Sequence, residues 1–259
     1  MRLRSLAAAL LTVTAFAFAS MAAPATAAAD TPPDGGVLQP NVVGGSPAPA
    51  YSFMGSLQTT TGGHFCGASV VHRNWAVTAR HCVQGSAPSS MQLRVGSSNR
   101  TSGGVVVGVT SVTMHSTNDL AMIGLTTVPS AYLPIRIAEN SGPVGTFTRI
   151  MGWGQTCPSP GGCGAPIQLQ QLNTSIVADG SCGGILGATE ICTSNPGGVA
   201  GACYGDSGGP QVKTVGATWQ LIGATSRSGG GSMCAVSPSI YVDVPALRPW
   251  IQAVTGLPL

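Results

Sequence analysis

A succession of short β-prone runs, each closed off by Gly, Asn, Pro or Ser, dominates this chain and leaves little room for helices. The runs include Ala68 to Val71, Trp75 to Thr78, Met91 to Val95, Val105 to Val112 and Leu120 to Leu125. Later ones are Thr146 to Met151, Leu172 to Val177, Trp219 to Thr225 and Ser239 to Val244. With 37 glycines and 19 prolines beside many Val, Thr and Ser, this pattern predicts an all-β barrel or sandwich. Only Pro245 to Thr255 reads as a helix. There Leu247, Trp250, Ile251 and Val254 form one apolar stripe at helical spacing, Pro249 suits the first turn, and Gly256 can end it.

The first residues do not belong to that pattern. Arg2 and Arg4 precede an almost wholly apolar stretch from Leu6 to Ser20, followed by small residues with A-x-A sites ending at Ala27 and at Ala29. This predicts a secretory signal peptide over 1–29, cut after either alanine and too short in its apolar core for a membrane span. The Pro/Gly-rich "DTPPDGGVLQPN" at 30–41 reads as a short pro-segment, and 42–259 as the folded body. A secreted, extracellular product is therefore expected, with no membrane association once the signal is removed. Eight cysteines in an exported chain predict a disulfide framework with every cysteine paired. No C-x-x-C occurs and the histidines are scattered, so no metal and no cofactor is expected. The net charge is only +3 and the arginines are spread singly, which gives no footprint for nucleic acid. A monomer is expected.

Chemistry centres on Ser207 in "CYGDSGGP". A serine hydroxyl needs a base to take its proton and a third group to orient that base. After Asn41 the histidines are His64, His72, His81 and His115, and the acids are Asp119, Glu139, Asp179, Glu190, Asp206 and Asp243. His81 lies in "TARHC" after a strand-like run. Asp119 heads the apolar run "NDLAMIGL", where a carboxylate would be buried and need a partner. His64, His72 and His115 read as surface or loop residues, and Asp179, Asp243, Glu139 and Glu190 as solvated or turn residues. G-D-S-G-G also fits the nucleophile elbow of an esterase. That elbow needs the order Ser, acid, His on a strand–turn–helix, whereas here the order is His81, Asp119, Ser207 with strand-like sequence after Pro210.

Taken in order, "VVGG" at 42–45, "TARHC", "NDLAMIGL", "GWG" at 152–154, "GDSGGP" and the closing helix resemble the chymotrypsin-like (trypsin-superfamily) serine proteases, in particular the streptomycete-type secreted members. The likeness runs from Val42 to Leu259. It implies two packed six-stranded antiparallel Greek-key β-barrels, roughly 42–140 and 141–259, with a C-terminal α-helix. It further implies that Ser207 attacks, His81 is general base and acid, Asp119 orients His81, and the N–H groups of Gly205 and Ser207 form the oxyanion hole. Asp206 would pair with the α-ammonium created by cutting between Asn41 and Val42. Because Asn41 is neither Arg nor Lys, self-processing or another host protease suits that cut better than a tryptic one. The implied disulfides are Cys66–Cys82, Cys157–Cys163, Cys182–Cys192 and Cys203–Cys234. Polypeptides are the implied substrates and protein protease inhibitors the implied partners. A non-catalytic binding protein on this fold is the competing reading, opposed by retention of every reacting residue.

By the same resemblance, Gly201 lies at the bottom of the specificity pocket, where an Asp would select Arg or Lys. Ala202, Ser226, Ser228 and Ser239 are small wall residues, and Tyr204 flanks the mouth. A neutral, fairly open pocket is implied, suited to an apolar residue rather than a cation. Arg227 stands where relatives carry Trp, and its charge implies a preference for acidic or polar residues at neighbouring subsites. Arg80 stands where Ala is usual. It is read as a tolerated substitution whose guanidinium reaches solvent or an anion, the alternative being a perturbed His81. Asn99–Thr101 matches a glycosylation sequon. The region after Arg94 lacks the acidic cluster of a calcium loop.

Overall fold

In the computed structural model, residues 42–258 are described. The expected signal peptide over 1–29, the expected pro-segment over 30–41 and the amino side of the Asn41–Val42 bond lie outside them. Strand β1 (Ser46–Pro47) leads into β2 (Met54–Thr59), β3 (His64–His72) and β4 (Trp75–Thr78), and a one-turn helix α1 (Arg80–Val83) follows. Next come β5 (Met91–Val95), β6 (Val105–Met114), β7 (Ala121–Leu125), β8 (Arg136–Ile137), β9 (Phe147–Gly152) and β10 (Gln170–Ser175). The chain ends with β11 (Glu190–Thr193), β12 (Pro210–Val215), β13 (Thr218–Ser228), β14 (Ser239–Asp243) and helix α2 (Arg248–Thr255).

The first half closes into a barrel in the order β2-β3-β4-β7-β6-β5, with β5 pairing back to β2. Strand β5 shows the alternation expected of a half-exposed strand, with Met91, Leu93 and Val95 inward. Strand β7 is buried throughout, which explains its unbroken apolar sequence. Ala121, Ile123 and Leu125 face the barrel core, while Leu120 just ahead of the strand and Met122 within it join a second core shared with the other half. The second half is an eight-stranded sheet in the order β1-β10-β9-β12-β13-β14-β11, with β8 added parallel to β13. Met151, Trp153, Val212, Leu221 and Val242 meet Met54, Val77 and Met122 in that shared core.

The sequence marks most strands to within a few residues, but it conceals β2 and β11. Strand β2 reads "MGSLQT", and its Ser56 and Gln58 are fully buried polar residues that break the apolar period. The expected C-terminal helix begins with a 3₁₀ turn at Pro245–Leu247 and continues as α2. Gly256 ends α2 in the left-handed region (φ 69°) and donates its N–H to Gln252 O. Leu247 and Ile251 are buried and Trp250 and Val254 partly so, which docks the helix on the shared core.

Truncating Ile251 to Ala in an inactive Ser207→Ala background should cost about 2–5 kcal/mol in chemical denaturation. The same change at exposed Gln252 should stay within about 0.5 kcal/mol.

Candidate active site

His81 sits in α1, immediately after β4, and the Cys66–Cys82 disulfide ties this turn to β3. Its backbone N–H donates to Asp119 Oδ1 at 2.9 Å, and Nδ1 lies 2.8 Å from Asp119 Oδ2. An ionised carboxylate can only accept, so Nδ1 carries the proton and Nε2 of the neutral ring keeps its lone pair. Ser226 Oγ donates to the same Oδ2 at 2.8 Å from β13. Burial alone would raise the Asp119 pKa. The hydrogen bonds from the His81 ring, the His81 backbone and Ser226 outweigh it, and the pKa falls below the usual carboxylate value. Asp119 is only half-buried, not enclosed as its apolar flank suggested.

Among the described residues Arg80 is half-buried and meets no anion. Its Nη1 donates to the carbonyls of Ser116 at 2.9 Å and His115 at 3.3 Å, clamping the loop that carries Asp119. His115 packs edge-on against Trp250 of α2 at 4.9 Å, and buried Asn118 donates to Thr189 Oγ1 at 2.7 Å. The loop is therefore held from three sides.

Ser207 belongs to the 203–209 turn, which is bolted to both halves. Gly67 of β3 donates to Ser207 O at 2.8 Å, and Gly208 donates to Thr225 O of β13 at 2.8 Å. Asp206 is fully buried; Gly154 N–H donates to its Oδ1 at 2.8 Å and Cys203 N–H to its Oδ2 at 2.9 Å. A Cβ on Gly154 would collide with this carboxylate, so the site needs glycine there. No cation reaches Asp206 among the described residues, and burial raises its pKa to about 6 against the two N–H donors. Val42 is buried with Ile150, Ile191 and Tyr241, and its φ of 39° is strained for a β-branched residue. In the continuous chain its nitrogen is an amide, and no ion pair joins it to Asp206.

Gly205 takes φ 98°, open in practice to glycine alone. Gln155 N–H donates to Tyr204 O at 2.8 Å. Since C=O and N–H of one planar peptide point in opposite directions, this turns the Gly205 N–H away from Gln155. Neither the Gly205 nor the Ser207 N–H has an acceptor among the described residues. His64, expected as a surface or loop residue, instead holds this turn. It is half-buried, packs edge-on against Trp153, and its Nε2 lies 3.1 Å from Gly205 O. Gln58 donates to Ser56 Oγ, which in turn meets His64 Nδ1 at 2.8 Å. The ring therefore accepts at Nδ1 and donates from Nε2. Burial, with help from Arg100, lowers the His64 pKa to about 4, so the ring is neutral at working pH.

His81, Ser207, Tyr204, Ser226 and Ser239 line one cavity of about 490 Å³. No carboxylate lines it, and Arg227 is its one arginine or lysine wall residue. Ala202 and Ser228 line it too, while Gly201 lies behind the wall with Ala235 Cα and Ser239 Oγ 3.5 and 3.7 Å from where its Cβ would be. Tyr204 Oη donates to Ser232 O at 2.8 Å across the rim. The Cys203–Cys234 disulfide forms part of the wall. The ring closed by Cys157–Cys163 leans on it, with Cys234 N–H donating to Pro158 O at 3.0 Å. Cys182 is bonded to Cys192. Glu190, expected as solvated, is buried and paired with Arg227. Neither His64 nor Glu190 carries a local motif; the buried polar residues Ser56 and Gln58 were the one trace of the former.

An all-β body that brings a serine and a histidine to one cavity, with a carboxylate holding the histidine from behind, defines a serine hydrolase class. The trypsin family model matches residues 42–251. Trypsin delta of Drosophila melanogaster is 36% identical over 253 residues, covering 89% of this chain and 96% of its own length. Trypsin alpha of Drosophila erecta is 36% identical over 83% of this chain and 87% of its own. Trypsin of Sarcophaga bullata is 33% identical over 78% and 84%. The chain belongs to the trypsin family of serine proteases and is a serine endopeptidase.

His64→Ala should lower kcat about three- to tenfold with little change in KM, the worth of one neutral hydrogen bond, read in steady-state peptide hydrolysis. His64 also sets an acid response. Its folded pKa of about 4 lies below the ordinary 6.5, so the unfolded chain takes up the proton first. Stability is complete above 6.5 and falls as pH drops toward about 4. His64→Gln should flatten that fall in unfolding titrations.

Proposed function

We propose that this chain is exported and hydrolyses peptide bonds after an uncharged side chain, in the manner of chymotrypsin or elastase rather than of trypsin. The observation that carries this reading is the cavity beside Ser207 and His81, which has no carboxylate to pair with a buried substrate cation. Small walls at Ala202, Ser226, Ser228 and Ser239 leave space for an apolar side chain. Ser207 Oγ attacks the carbonyl, His81 Nε2 takes its proton and later protonates the leaving amine, and Asp119 stabilises the imidazolium. The N–H groups of Gly205 and Ser207 receive the oxyanion, and such donors are worth about 3–4 kcal/mol each in related chemistry. A secreted, streptomycete-type member, made with a signal over 1–29 and a pro-segment over 30–41, is the finer assignment. It rests on the leader and motif pattern, while the relatives named above are insect proteins.

Activation follows from Asp206 and Val42. A buried carboxylate without a cation costs stability once it ionises. Cutting at Asn41–Val42 supplies an ammonium and frees the strained Val42 backbone. The sign is fixed by the raised folded pKa of about 6 against the ordinary 3.8. The cost is absent below about 4 and complete above about 6. In a Ser207→Ala background, the cut form should therefore melt higher than the uncut form at pH 7.5, and the gap should narrow as pH falls from 6 to 4.

The substrate assignment is tested with a serine-directed fluorophosphonate and a panel of peptide anilides. The label should attach at Ser207, and kcat/KM should favour Phe, Leu or Ala over Arg before the cut by about 10² or more. A preference for Arg or Lys would overturn the neutral pocket. Ser207→Ala should lower turnover by about 10⁶-fold.

A further inference from the structure

Arg227 projects from β13 into the catalytic cavity, yet its hydrogen-bonding edge is already occupied. Nη1 donates to Glu190 Oε1 at 2.6 Å and Nη2 to Glu190 Oε2 at 2.8 Å. The remaining terminal N–H groups reach Ser226 Oγ at 3.3 Å and Gly184 O at 2.8 Å. Of the five guanidinium N–H groups only that on Nε lacks a partner among the described residues. The Glu190 side chain is 2% exposed, whereas that of Arg227 is 39% exposed. Leu186 N–H also donates to Glu190 Oε2 at 2.8 Å, fixing the carboxylate to the 184–186 loop.

This arrangement settles what Arg227 is able to do. To capture a substrate carboxylate with its two-pronged edge, Arg227 must let go of Glu190, and an unpaired buried carboxylate is far costlier than a surface ion pair is favourable. The pair is also neutral as a unit, so it sets up little field to draw anions. What remains available in the cavity is the flat face of a guanidinium pinned along its edge. Such a plane stacks against aromatic rings and is weakly hydrated, unlike an ammonium.

We infer that Arg227 and Glu190 form a charge-neutral recognition subsite in the catalytic cavity, which takes a flat aromatic side chain from a substrate residue preceding the one at the cut and does not select acidic ones. The inference rests on the protease reading above and departs from the acidic preference that the arginine's charge alone implied. Glu190 is the specificity switch in this arrangement, because it decides whether the edge or the face of Arg227 meets substrate. Ser226 touches both Arg227 and Asp119, so the subsite lies one hydroxyl away from the triad carboxylate.

The test uses peptide anilides with one fixed residue before the cut and Phe, Ala, Glu or Gln at each of the three preceding positions. In the wild-type enzyme, Phe should exceed Ala in kcat/KM by about threefold or more at one position, and Glu should equal Gln within about twofold at all of them. Glu190→Gln frees the charged edge, and Glu should then exceed Gln by about tenfold at that position. Fluorophosphonate titration of active sites corrects for any unfolded fraction of the variant. A tenfold preference for Glu in the wild type, or the absence of an aromatic preference at every position, overturns the subsite while leaving the protease reading intact. Absence of turnover with every peptide removes the protease reading and the subsite with it.

Discussion

The catalytic end of this molecule depends on one carboxylate taken out of water. Asp206 fixes the distance between Gly154 and Cys203 by accepting a hydrogen bond from each, and thereby sets the path of the turn that presents Gly205 and Ser207. The absence of a side chain at Gly154 follows from how closely backbone must approach that group. The turn's outward carbonyls are then secured by Gln155 and His64, which leaves its inward N–H groups unspent. A site of preorganised donors is built here by tying down the neighbouring carbonyls of the same turn.

The second organising feature is a shared core with a polar seam above it. Strands such as β7 give alternate side chains to the barrel interior and to the core between the halves, so neither half packs fully alone. Above that core, Gly67 reaches Ser207 and Ser226 reaches Asp119. Each half thus grips a residue of the candidate site on the other, and shifting one against the other would break both contacts at once.

Much of this was legible in the chain. His81, Asp119 and Ser207 stand in short motifs whose order separates them from an esterase elbow, and the apolar runs mark most strands. What escaped notice was made by tertiary contact. Glu190 looks like any isolated acid until β13 brings Arg227 to it, and His64 looks like a loop histidine until the fold sets it under Gly205. Strand β2 was hidden by Ser56 and Gln58, the very residues that orient His64. A locally unfavourable choice in the barrel thus serves the site. Arg80 is unusual in its motif, but the carbonyls it clamps lie on a loop well downstream and spacing does not reveal them.

The ring closed by Cys157 and Cys163 carries a consequence of its own. Gln155 ties it internally, donating from Nε2 to Ser159 O and accepting from the Gly161 N–H, while Pro158 anchors it to the wall of the cavity. A peptide must lie extended to be cut in a cleft such as this one, and a small disulfide ring pinned at both ends cannot straighten. The stretch beside the cavity wall is thus held out of the extended form that cleavage needs.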